Sequence, residues 1–179
     1  VRFENASRTV SLDIAFDTAR RLKAGEYRGD RPMTAVDVVE KLARGDVFLR
    51  TVTFPEGLSV REMSRVFEAH GLGPASRFLE AAREVSLVAH FDPKARDLEG
   101  YLFPETYRLS RRAGAEELVR MMVARFEQVF TTDLREAARA RGLGVREAVT
   151  LASIVEKETA RADERPIVAG VYAKRLAIR

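Results

Sequence analysis

Glu158 is an acidic residue whose position along the chain could do chemistry. In Leu151–Ala160, LASIVEKETA, a helix of about 3.6 residues per turn puts Leu151, Ile154, Val155 and Glu158 on one face. Glu156 points nearly opposite and Lys157 lies off the stripe. A carboxylate inside an apolar stripe is costly to ionise. Burial there predicts a raised pKa and a proton retained near neutral pH. A carboxylic acid held protonated in a sugar-sized groove is what general-acid cleavage of a glycosidic bond needs. The same pattern also fits a helix-end Glu that swings out to water or pairs with Arg161. The pattern alone leaves both readings open.

A second chemically suggestive stretch is EGYLFPETY, Glu99–Tyr107. Tyr101, Phe103 and Tyr107 flank Pro104, which removes a backbone donor and restricts local geometry. Exposed rings would suit sugar faces, because pyranose C–H groups pack on aromatic rings. Glu99 and Glu105 beside them could bind sugar hydroxyls. The alternative is a core-filling loop with inward rings and two solvated acids.

Together these segments resemble the endolytic murein transglycosylases, the MltG/YceG-like family. LASIVEKETA followed by DERPIVAGVYAKRL (Asp163–Leu176) is similar to that family's signature, and EGYLFPETY to its aromatic-rich Pro-Asp/Glu-Thr segment. FPEGLSVREMSRVF (Phe54–Phe67) and LKAGEY (Leu22–Tyr27) fit the same family upstream. The likeness implies that Glu158, the Glu followed by Thr in the E-K-E-T run, is the catalytic acid. It implies Glu99, Tyr101, Glu105 and Tyr107 as substrate-binding residues in a shared groove.

The implied reaction cleaves the MurNAc–GlcNAc β-1,4 bond of peptidoglycan without water and leaves 1,6-anhydro ends. One carboxyl serves, where hydrolases use two. The implied role is termination of nascent glycan strands. The implied partners are peptidoglycan strands and peptidoglycan synthases. The implied setting is the extracytoplasmic side of a cell membrane, through an N-terminal anchor absent from this chain. No cofactor or metal is implied. Two substitutions depart from the family: Lys174 stands where Asn is usual, and Glu105 where Asp is common.

The elements that must position these residues are legible too. Phe48–Phe54 alternates as a strand does. Thr34 with Asp37 starts a helix over Ala35–Arg44, stopped by Gly45 and carrying Val38, Val39 and Leu42 as its stripe. Ser59 with Glu62 forms a capping box opening a helix that ends at Gly71. Further helices are predicted over Pro74–Val88, Glu116–Phe130, Asp133–Arg141 and Val145–Thr159. The last, Ile167–Leu176, is expected to turn Ile167, Val168, Val171, Tyr172 and Leu176 inward. The expected fold is α+β: residues 1–92 as a small module, LysM-like by the resemblance, and 93–179 as a mainly helical N-terminal part of the catalytic domain. That domain is expected to be truncated at Arg179, with groove-lining segments lying beyond it.

Composition narrows the alternatives. The chain has 179 residues, 46% hydrophobic and 32% charged, enough for one large or two small domains. It has no cysteine and two histidines, His70 and His90, too isolated for a thiolate or His-based metal site. Net charge +4 and pI near 9.7 favour anionic partners. The cations are interleaved with acids, without the basic run and stacking aromatics of a nucleic-acid interface. No stretch approaches the roughly 18 apolar residues of a membrane span. Three rival functions remain at this level: a two-carboxylate glycoside hydrolase using Glu158 with Glu105 or Glu99, a non-catalytic peptidoglycan-binding or scaffold protein, and a nucleic-acid-binding helical domain suggested by pI alone.

Overall fold

A computed structural model describes residues 22–23, 26–27, 29, 32–45 and 47–177, with side chains as far as Arg175. Part of the Leu22–Tyr27 segment, everything before it, and the expected inward packing of Leu176 lie outside the described residues. The fold is α+β, as expected. Among the described residues are seven α-helices and two strands: α1 Ala35–Arg44, β1 Leu49–Thr53, α2 Val60–Ala69, α3 Ala75–Ala81, β2 Thr106–Ser110, α4 Ala115–Val129, α5 Thr132–Arg139, α6 Val145–Glu158 and α7 Arg165–Ala177. No helix of the described residues is long and apolar enough to cross a membrane.

The two local capping boxes form as their sequences dictate. Thr34 and Asp37 exchange side chain and backbone bonds at the start of α1, and Gly45 closes it at φ 76°. Ser59 and Glu62 do the same for α2. The expected helix over Pro74–Val88 is shorter. It breaks after Ala81 and resumes as one 3₁₀ turn at Val85–Leu87. The Ala82 carbonyl, which a continuing helix would use, instead accepts the Leu98 N–H at 2.9 Å.

The stretch beyond residue 92 is mostly helical, yet TYRLS returns as β2 to pair with β1. The Thr53 and Thr106 hydroxyls meet at 2.8 Å, and Phe54 N–H donates to the Glu105 carbonyl at 3.0 Å, an antiparallel register. Side chains alternate across this ribbon: Val52, Tyr107 and Leu109 are buried and their neighbours are not.

By packing, the described residues divide into two compact units: those of Val1–Arg50 with Arg108–Arg112, and those of Thr51–Tyr107 with Ala113–Arg179. In the first, the Tyr27 hydroxyl donates to the Lys23 carbonyl at 2.6 Å, and Lys23 N–H to the Leu42 carbonyl at 3.2 Å. Val38 and Val39 on α1 are exposed rather than core.

The second unit holds the aromatic core. Phe78 packs on Phe54 and Phe67 with ring centroids 6.1 and 5.4 Å apart. Phe91, Tyr101, Phe126 and Phe130 form a second group. Of the core stripe that spacing predicts here, Leu118, Met122 and Phe126 are buried, while Met121 and Phe130 are half-buried. Burying such side chains stabilises by about 1.5–3 kcal/mol each.

Helices α6 and α7 pack against each other. Thr159 makes the turn between them. It is extended, buried, and bonded twice: its hydroxyl donates to Glu164 Oε2 at 2.8 Å and accepts the Arg161 N–H at 3.0 Å. The inward stripe expected for α7 is corrected. Ile167 is 70% and Val171 47% exposed, while Val168 and Tyr172 are half-buried. Helix α7 leans on α6 along a narrow strip, too narrow to cover the whole apolar face.

Candidate functional site

A cleft of about 860 Å³ opens in the second unit. Its walls come from residues 56–63, the loop at 99–104, the C-terminal end of α4, and α6. Leu58, Met63, Leu102, Phe103, Phe130 and Ile154 give it an apolar floor. Five glutamates also line it, Glu56, Glu62, Glu99, Glu156 and Glu158, against Lys157 and Arg165. The cleft is thus acidic in a basic chain. Volume and mixed lining are those of a site for a ligand a few rings long.

Glu158 is the last residue of α6 and borders this cleft. The expected burial is corrected: Val155 is buried, Leu151 and Ile154 are half-buried, and Glu158 is exposed. The helix stops at Glu158, and the buried place beyond Val155 is taken by Thr159. The other reading of the pattern is met only in part. Glu158 does reach water, but Arg161 turns to Asp163 at 2.7 Å and Glu164 at 3.2 Å. The partner of Glu158 is Tyr172, whose hydroxyl donates to Oε1 at 2.9 Å. Glu156, expected on the far face, also borders the cleft, where Arg165 holds it at 3.1 Å.

Glu99 lies on the same cleft. Its Oε2 accepts the Val60 N–H at 3.0 Å, so the carboxylate sits at the positive end of α2. Glu62 at the same helix end is held below its ordinary pKa by hydrogen bonds from the Ser59 backbone and hydroxyl.

The remaining sequence-predicted residues are elsewhere. Glu105 does not line the cleft and pairs with Arg125 Nε at 2.6 Å. Tyr101 is 3% and Tyr107 5% exposed, so neither offers a ring face to a sugar. The core-filling alternative holds for both. Burial, then a hydrogen bond to Asp92, pushes the Tyr101 phenol up to about 12. Burial likewise raises Tyr107, whose hydroxyl donates to the Phe103 carbonyl at 2.7 Å. Phe103 and Pro104 of the same segment do reach the cleft. The structure therefore brings Glu158 and Glu99 to one cleft and leaves Glu105, Tyr101 and Tyr107 outside its lining.

Three supporting contacts escaped the sequence reading. Tyr172 looked like core filler at its helical spacing. Lys157 donates from Nζ to the Gly57 carbonyl at 2.9 Å and joins two cleft walls. Arg146 binds Asp92. Each partner pair is set by tertiary approach, except that the short E-T-x4-E turn at 158–164 signals a tight return of α7. Among the described residues, no group of three or more His, Asp or Glu side chains converges as a metal site requires.

A match to the YceG-like family covers residues 3–179. Proteins named endolytic murein transglycosylase in two strains of Streptococcus pneumoniae are 29% identical over 181 aligned residues, 87% of this chain and 33% of theirs. The chain thus spans about a third of the length of these curated relatives. The crystal structure of a yceG-like protein from Listeria monocytogenes matches with a TM-score of 0.62 at 23% identity, over 93% of this chain and 60% of that one. The latter is a likeness of fold.

Proposed function

This chain belongs to the YceG-like family, and we propose that it works on murein as an endolytic lytic transglycosylase with Glu158 as its acid. The observation that carries the reading is the Glu158 carboxyl on an 860 Å³ cleft, one oxygen held by Tyr172. The name borne by the pneumococcal relatives supports the substrate class.

In this reading a MurNAc–GlcNAc bond lies along the cleft. Glu158 protonates the glycosidic oxygen as the anomeric C–O bond breaks and its electron pair leaves with that oxygen. The MurNAc 6-hydroxyl then bonds to the anomeric carbon and returns its proton to the same carboxylate. The product is a 1,6-anhydro end. Holding donor and acceptor of one sugar in this geometry is worth far more than the acid alone. The apolar floor, Phe103 included, faces the sugar rings, and Glu99 faces their hydroxyls. Within the same proposal, residues 1–92 are the LysM-like part, whose 56–63 stretch lends a wall to the cleft, and 93–179 belong to the catalytic domain. The site works outside the cytoplasmic membrane, where it ends growing strands beside the synthases.

Mass spectrometry of glycan strands digested with the full-length parent protein and its Glu158→Gln variant tests this. The parent is expected to release anhydro-muropeptides. Glu158→Gln is expected to lose roughly 100- to 10,000-fold or more of that activity at an unchanged melting temperature. Full activity in the variant would sink the acid assignment. Reducing ends from the parent would favour the two-carboxylate hydrolase. Strand binding without cleavage by the parent would favour a scaffold.

A further inference from the structure

We infer that Tyr172 is a positioning residue for the acid: its hydroxyl pins one oxygen of Glu158 so that the other carries the travelling proton. The inference rests on the reading of Glu158 as the acid. The two residues sit on different helices, Glu158 at the end of α6 and Tyr172 midway along α7, and their bond is 2.9 Å. The turn that brings them together is locked by the buried Thr159. Glu158 lines the cleft and Tyr172 does not, so the phenol reaches the carboxyl from α7 without itself being part of the lining.

A glutamate at an exposed helix end has several side-chain torsions over which to spread. A bond from a stiff phenol with two torsions removes much of that freedom. With Oε1 engaged, Oε2 is left to meet the glycosidic oxygen and, later, the 6-hydroxyl proton. Tyr172 itself keeps its proton in both steps.

A neutral donor suits this task better than a cation, because it binds Oε1 in either protonation state of the acid. The surrounding charges are occupied elsewhere. On α6, Lys157 bonds the Gly57 carbonyl and Glu156 is paired with Arg165. On the turn, Arg161 is paired with Asp163 and Glu164. On α7, Arg175 lies over the Tyr172 ring at 5.5 Å. Across the cleft stand Glu56, Glu62 and Glu99. The hydrogen bond to Glu158, then burial, raises the Tyr172 phenol above its ordinary pKa, while Arg175 opposes the rise. The phenol therefore stays a donor through the working range.

Tyr172→Phe tests the inference, since it keeps the ring beside Arg175 and removes only the hydroxyl. The expected result is a kcat lower by about tenfold with KM and melting temperature unchanged. A merely structural hydrogen bond between α6 and α7 would instead move the melting temperature, and a sugar-binding role KM. The contact is also readable without turnover. The phenolate absorbance difference between the parent and Tyr172→Phe isolates the Tyr172 titration. It should lie above that of an ordinary phenol and move down in a Glu158→Gln background. An unchanged kcat in Tyr172→Phe, with Glu158→Gln inactive, would overturn the positioning role and leave the acid standing. An active Glu158→Gln would overturn the acid and the positioning role with it.

Discussion

Arg146 holds the Asp92 carboxylate by both oxygens: Nε and Nη2 lie 2.9 and 2.8 Å from Oδ2, and Nη2 lies 2.9 Å from Oδ1. The Tyr101 hydroxyl donates to the same Oδ2 at 2.6 Å. This three-residue knot joins the loop before Glu99 to the first turn of α6. It sets two cleft walls without itself lining the cleft.

Asp92→Ala should lower stability by about 2 kcal/mol, since it leaves a buried phenol without an acceptor. That is roughly 4–8 °C in melting temperature for a chain of this size. The loss should depend on pH. Burial opposes the Asp92 charge, but the bonds from Tyr101 and Arg146 together outweigh it and hold the carboxyl below its ordinary value. A carboxyl depressed in the folded state contributes fully above about pH 4, its unfolded value. It loses that contribution as pH falls through the lower folded value. Thermal melts of parent and variant should therefore converge on acidification. A gap constant from neutral to acid pH would contradict this account.

Gly100→Ala should damage the cleft wall. Gly100 has φ 84°, and a Cβ there would stand 2.9 Å from Val149 Cγ1. The left-handed conformation costs an alanine about 1–2 kcal/mol, before Val149 is displaced. A lower melting temperature and a raised KM are expected. Adding Val149→Ala should recover the steric part of the loss and none of the backbone part. Strict additivity of the two substitutions would show that the residues do not press on each other.

Glu99 and Glu105 should separate in kinetics although they share one sequence motif. Glu99 borders the cleft, whereas Glu105 is turned to Arg125 outside it. Glu99→Gln is expected to raise KM about three- to tenfold, the scale of one hydrogen bond. Glu105→Gln should leave turnover within about twofold, because its lost contact is an exposed ion pair. Steady-state rates on purified glycan strands decide, and equal effects from both would mean that the motif acts as one unit.

What the sequence revealed follows the range of the forces involved. The capping boxes at Thr34 and Ser59 are local, and both form as read. The Met122–Phe126 stripe of α4 is buried because its helical period meets a cover, Phe91 and Tyr101 packing on Phe126, which Ile167 and Val171 of α7 lack. The burial of Tyr101 depends on Asp92 and Arg146, and that of Tyr107 on strand pairing with β1. Neither approach is written in the nine residues of the motif. The exposure of Glu158 turns on where α6 stops. A stripe argument assumes that the helix is covered to its last residue, and here the cover ends one turn early. Tyr172 was hidden by its plausibility as core.

The Lys157–Gly57 bond joins residues one hundred positions apart, and the cleft walls come from stretches spread between Glu56 and Arg165. Contacts of such long sequence separation close late, after local helices have formed. During synthesis the Pro-Glu-Gly turn leaves the ribosome long before its lysine does. The proposed cutting surface therefore does not exist on a partly made chain. The cleft stays unassembled until α6 has emerged and docked, and the activity proposed for it waits on that step.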